Sequence, residues 1–203
     1  MMIKRFALAA AAASLFVTAA EAKVPEAERF VGELVTELRE AAEAEGEQSP
    51  AVRAALQESL ATEAIGRFLL AGEAADGASE MQMERYNALF PRYIAAAFAE
   101  EIGQLTARRI EIEDSLERRP GDIIVQSELY DSKGAKRADI DWRVRVIDDG
   151  SYRLLDVLVE RISPLITRRQ TFSSRVRDEG MDGLLRHMEE VIASGAVAAG
   201  ESE

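Results

Sequence analysis

The chain has 203 residues, a formal net charge of −12, 31% charged residues and no cysteine. Without cysteine it can form no disulfide, thiolate metal site or cysteine nucleophile. Its acidity makes it a poor partner for nucleic acid and for anionic bilayers.

Residues 1–22 read as an export signal. Lys4 and Arg5 form a positive start, Phe6 to Ala20 an apolar core, and Ala20-Glu21-Ala22 a small-residue cleavage site before Lys23. The apolar run is shorter than the ~20 residues a membrane-spanning helix needs. Cleavage would remove Lys4, Arg5 and Glu21, taking the net charge from −12 to −13. Residues 23–195 suit a single domain, and 196–203 a flexible tail.

From Pro25 to about Glu45 the pattern is an acidic amphipathic helix with Phe30, Val31, Leu34, Val35 and Leu38 at three- and four-residue spacing. Ser49-Pro50 starts a second helix carrying Val52, Leu56 and Leu60, and the apolar stretch Ile65 to Leu70 follows, ending near Gly72. Residues 72–79 are a loop by composition. The longest helix is predicted from Ser79 to about Leu105, its broad apolar face bearing Tyr86, Leu89, Phe90, Tyr93, Ile94, Ala97 and Phe98. Pro91 lies within it and is expected to kink or interrupt it, because proline removes a donor and crowds the preceding turn.

Strand patterns then take over. Arg109 to Glu113 alternates, as Ile123 to Tyr130 does in part, with Arg118-Arg119-Pro120-Gly121 between them. Ile140, Trp142, Val144 and Val146 alternate with Asp141, Arg143, Arg145 and Ile147, and Asp148-Asp149-Gly150 supplies a turn. The return strand, Tyr152 to Glu160, has an apolar run that predicts cover on both faces along part of its length. Ser163-Pro164 starts a helix to about Asp178, and a second runs from Asp182 to Ala193. Helices, then an antiparallel meander of about four strands, then helices make an α+β fold with the helices on one face of a curved sheet.

Few residues suggest chemistry. His187 is the only histidine and reads as a surface or boundary residue, so neither a histidine-dependent triad nor a metal site is expected. The pairs Glu111/Glu113 and Asp139/Asp141 alternate along strands, as a solvated face does. Asp156 stands within an apolar run. It could be a buried general base, or it could pair with Arg143, Arg145 or Arg169 to fix the hairpin to the next helix.

Four runs carry a family resemblance: Asp141-Trp142-Arg143-Val144-Arg145, Asp149-Gly150 through Glu160, Thr167 through Phe172, and Gly180-Met181-Asp182-Gly183-Leu184-Leu185. In order and spacing they resemble the MlaC (toluene-tolerance) family, with a weaker echo in Ala64 to Gly72. Three positions depart from the pattern: Arg161 stands where the family usually has glycine, Pro164 enters the helix start, and Glu179 replaces a glycine.

The resemblance implies a twisted sheet, distantly nuclear-transport-factor-like, with an apolar cavity between sheet and helices. It also implies a periplasmic phospholipid shuttle between outer and inner membranes, with no cofactor and no bond-making step. Its partners would be phospholipid, an inner-membrane ABC transporter complex and an outer-membrane lipoprotein complex of the Mla type, and the carrier itself would be a monomer. Cavity candidates on this reading are Tyr86, Phe90, Tyr93, Ile94, Trp142, Val144, Val157, Val159 and Ile166, with Arg168 and Arg169 for a headgroup or docking contact. The alternative is a small periplasmic enzyme built on an Asp156-centred cavity.

Overall fold

A computed structural model describes residues 23–70 and 72–200. The export signal read in residues 1–22 lies outside the described residues, as do the last three residues of the tail.

Among the described residues there are six helices and four strands, in the predicted order except that the short helix Glu73–Asp76 falls within residues 72–79, read from composition as a loop. Helix α1 is Pro25–Glu45, α2 Pro50–Ser59, α3 Thr62–Leu69, α4 Glu73–Asp76 and α5 Glu80–Thr106. The strands are β1 Arg109–Arg119, β2 Asp122–Tyr130, β3 Lys136–Val146 and β4 Tyr152–Val159, and α6 is Pro164–Gly200. The sheet is an antiparallel meander in the order β1-β2-β3-β4, so β1 and β4 are its edges. The fold is α+β.

Period-two alternation decides which sheet face is buried. Ile123 and Val125 of β2 and Ile140, Trp142 and Val144 of β3 share the core face, all nearly inaccessible to solvent. Trp142 carries its polar atom into this core and donates its indole N–H to Ser127 Oγ at 2.9 Å, while Ser127 in turn donates to the Ile140 carbonyl. On the other face Arg143 donates two bonds to Asp122, at 2.8 and 2.9 Å.

Three successive residues of β4, Leu154, Leu155 and Asp156, are buried, so the strand is covered on both faces along that part. A bulge at Leu155 breaks the β3–β4 register, pairing Val144 with Leu154 and Arg143 with Asp156. Leu154 and Leu155 therefore both bury, while Val159 stays 40% exposed.

Helix α5 is not interrupted at Pro91: it remains helical from Glu80 to Thr106 behind a Ser79/Gln82 capping box. Asn87, whose carbonyl has no donor from Pro91, borders a solvent-open hollow together with Pro91, so that carbonyl need not be buried dry. On either side of the proline, buried Tyr86, Phe90, Tyr93 and Ile94 anchor the helix. Tyr86 and Tyr93 meet the Phe172 ring of α6 edge-on and tilted, at centroid spacings of 6.5 and 5.5 Å, which fastens α5 to α6, and Phe90 lies against both tyrosines at 5.3 and 6.1 Å. Helix α6 absorbs its break at Gly180 (φ 72°, ψ 179°), a backbone conformation nearly confined to glycine. That break falls between the two C-terminal helices the sequence predicts.

Candidate functional site

The C-terminal half of α5 does not lie flush on β4. Between them is a half-open cavity of about 440 Å³, within the ~300–1,000 Å³ typical of small-molecule sites. One wall is Phe98, Ile102 and Leu105, on one stripe of α5. The facing wall is Leu154, Val157 and Val159 of β4. The bulge explains that spacing, since Leu154 and Val157 share a face only because Leu155 is an extra residue.

Leu60 closes one side of the cavity. It leaves α2 in an extended conformation and bridges β4 in parallel, with the Ala61 N–H donating to the Leu154 carbonyl at 2.8 Å. The wall is thus held by a backbone hydrogen bond to an otherwise open sheet edge.

The mouth is polar on two sides and apolar on the third. Glu101 and Glu160 border it, and Ile162 does so while 71% exposed. The turn at the mouth is unusual. Val159 and Ile162 exchange backbone bonds, leaving Glu160 (φ 50°) and Arg161 (φ 63°) both left-handed, a two-residue hairpin loop without glycine. Here Arg161 occupies the place where the resembled family usually has glycine. Glu160 braces the turn by accepting a 2.7 Å bond from the Asp139 N–H.

The two candidate arginines already have partners. Arg168 donates to the Ala97 carbonyl at 3.0 Å and to Glu101 at 2.8 Å, and its guanidinium lies 4.5 Å over the Phe98 ring. Phe98 and Glu101 are cavity residues, so Arg168 stands behind the wall and ties α6 to it. Arg169 covers the Phe68 ring of α3 at 4.9 Å.

The nine apolar candidates divide into four groups. Val157 and Val159 line the cavity. Tyr86 and Phe90 border a second hollow between α3, α4 and α5. Tyr93, Ile94, Trp142 and Val144 are packed in the core. Ile166 is 56% exposed on α6. Sequence reasoning did not name Leu60, Phe98, Ile102, Leu105 or Leu154 as cavity walls. The α5 members were open to discovery, because the predicted stripe continues from Phe98 at the same helical spacing. Leu60 gives no such signal.

Asp156 faces away from the cavity, in register with Arg143 on the opposite sheet face. It accepts 2.5 Å from Ser163 Oγ and 3.0 Å from the Val157 N–H. Burial pushes its carboxyl up, and the Ser163 and Val157 bonds pull the other way. Its position ties the end of β4 to the start of α6 and supplies nothing to the cavity. His187 is half-buried, its ring 6.2 Å from that of Tyr93. Burial, with the Arg175 charge nearby, holds it below the usual histidine range. Among the described residues no helix is long and apolar enough to cross a membrane.

This arrangement can shelter an apolar chain and present its polar end at the mouth. A solved structure with the same fold is the phospholipid-binding protein from Ralstonia solanacearum, determined in complex with a phospholipid. It is 14% identical, with a TM-score of 0.64 over 85% of this chain and 97% of that one. No curated protein matches the chain in sequence. The MlaC protein family matches residues 28–190, spanning every strand and all of α2 to α5, and the chain belongs to that family.

Proposed function

We propose that this protein is a phospholipid carrier of the periplasm, which takes a lipid by its acyl chain into the cavity between α5 and β4. One observation carries the reading: an almost wholly apolar, preformed cavity with a polar mouth, in a chain of the MlaC family. The likeness to a structure holding phospholipid supports it.

The physical need is large. Each buried methylene is worth about 0.8 kcal/mol, so the roughly 30 methylenes of two acyl chains oppose free passage through water by on the order of 20 kcal/mol. A sheltered cavity offsets that term while the headgroup stays wet. Carriage of this kind needs no cofactor and breaks no bond, and Asp156, turned to the far face of the sheet, is left with a structural role. On this reading the protein moves lipid between outer and inner membranes, docking with an inner-membrane ABC transporter complex and an outer-membrane lipoprotein complex. An acidic carrier suits docking to proteins better than prolonged contact with anionic bilayers.

The test is native mass spectrometry of protein purified without its export signal, followed by lipid extraction. The expected result is about one glycerophospholipid per chain. Protein that carries none, and takes none from vesicles after delipidation, overturns the reading.

A further inference from the structure

An acyl chain that resists passage through water has to reach the cavity from an apolar source, so the surface around the mouth bears on the carrier reading, on which this inference rests. Among the described residues five large apolar side chains are exposed, and three of them, Val159, Ile162 and Ile166, fall close together in the chain. Val159 and Ile162 border the cavity. Ile166 stands in the first turn of α6, just past Pro164, which borders it too.

These side chains are held out by a braced backbone. Val159 and Ile162 exchange backbone bonds of 3.2 and 2.9 Å across the turn, and the Glu160 N–H donates to the Asp139 carbonyl at 2.9 Å. The Ser163 hydroxyl donates to Asp156 and accepts from the Ile166 N–H, which fixes the start of α6 to the end of β4. Ile162 and Ile166 therefore project from a turn and a helix start that are both tied to the sheet.

Charge and size decide what such a tip fits. From Arg161 to Arg177 the chain carries five arginines and no carboxylate, within a protein of net charge −12. Arg161 is exposed beside Ile162. Guanidinium groups match phosphate, while aliphatic side chains next to them match the acyl region beneath a headgroup layer. Acidic residues more than about 10 Å away are screened at cellular ionic strength, so the nearby arginines dominate the local field. A protein partner is a poorer fit, because a stable interface buries roughly 800 Å² on each side and three aliphatic side chains fall well short of that.

We propose that the tip formed by Val159, Ile162 and Ile166, with Arg161 beside it, rests on the surface of a phospholipid bilayer. The aliphatic side chains enter among the upper acyl segments and Arg161 meets headgroup phosphate. The cavity mouth then opens onto the membrane, and an acyl chain slides in along Ile162 without crossing water. The contact is brief, because the rest of the chain is acidic.

The chain has no cysteine, so a single introduced one carries a label at a chosen place. Ile166→Cys sets a nitrobenzoxadiazole dye on the tip, and Asp148→Cys sets it in the β3–β4 turn, at the far end of β4. Each delipidated protein is mixed with phosphatidylcholine vesicles, its emission is read, and the supernatant is read again after the vesicles are pelleted. The expected result is a blue shift at position 166 that is lost with the vesicles, and no shift at position 148. A shift that stays undiminished in the supernatant reports lipid already taken up, and equal shifts at both positions report unoriented adsorption; either overturns the proposal. No shift at position 166 overturns it as well and leaves the tip to a protein partner. Lipid content of the same supernatants judges the carrier reading separately, since protein can load lipid whether or not the dye responds. Unlabelled Ile166→Ser is expected to slow lipid uptake from these vesicles at least about threefold, and Asp148→Ser to leave the rate as it is. Equal rates for the two variants overturn the proposal.

Discussion

Arg161 sits at the tip of the turn at the cavity mouth with φ 63°, beside Glu160 at φ 50°. Left-handed backbone costs an ordinary residue about 1–2 kcal/mol, and glycine's greater freedom when unfolded recovers part of the difference. Arg161→Gly is therefore expected to raise stability by up to about 1 kcal/mol, a gain of about 2–4 °C in melting temperature for a chain this size. A melting curve showing no gain contradicts that account of the turn. Arg168 behaves in the opposite way. Its side chain is only 21% exposed and holds α6 to α5 through Ala97, Phe98 and Glu101. Arg168→Glu removes those bonds and sets two carboxylates together, so a loss of about 2 kcal/mol is expected by chemical denaturation. Treated as exposed charges, which seldom contribute much stability, Arg168 and Arg169 would both be reversible without cost to the fold. The packing of Arg168 changes that expectation, because burial and partner choice are tertiary facts that a run of charges does not encode.

Asp122 and Asp156 lie on one sheet face with opposite pH signatures. Hydrogen bonds from the Arg143 guanidinium hold the Asp122 carboxyl below the usual carboxylate range, against its burial. Its contribution is thus present at neutral pH and lost as pH falls below that range. Burial lifts Asp156, so the folded state holds its proton more tightly than the unfolded chain. Stability from that group falls as pH rises from the ordinary carboxylate value through the raised one. Asp122→Asn should cost about 2 kcal/mol at pH 7, allowing for the partial exposure of Arg143. Asp156→Asn should instead flatten the stability profile above about pH 4. Denaturation series across pH 3–8 separate the two. Identical profiles for both variants would remove the electrostatic reading of this face.

At the scale of elements, periodicity carried most of the information. The acidic first helix, the long aromatic helix, the meander and the Gly150 turn all follow from three- and four-residue or two-residue spacing. The tertiary setting overrode local preference in two places. Helix α5 passes through Pro91 because buried rings on both sides hold it. Strand β4 takes a bulge, which no composition marks, and with it the orientation of every later side chain changes. Helix α6 offers a direct test at Gly180. A Cβ there would meet nothing within 4 Å, so any penalty is conformational. Gly180→Ala is expected to lower stability by about 1–2 kcal/mol with no change in the α5–α6 aromatic contacts. Unchanged stability would show that the break does not depend on that backbone angle.

For the whole molecule, what the sequence could not show was the gap. A stripe of apolar residues looks the same whether it meets a neighbour or a void, and the cavity exists because α5 stands away from β4 while Leu60 bridges the sheet edge between them. That is why Tyr93 and Trp142 are packed in the core, while Leu105, which closed the predicted helix, faces the cavity. The sheltering of an acyl chain in this gap is the central claim. The most direct measurement is uptake of fluorescent phospholipid from vesicles by delipidated protein, compared with Val157→Asp, which sets a charge on the cavity wall at a large desolvation cost. The expected result is near one lipid per chain for the natural protein and at least a tenfold loss for the variant, with both folded by circular dichroism. Equal uptake by the two proteins, or none by either, would contradict the account.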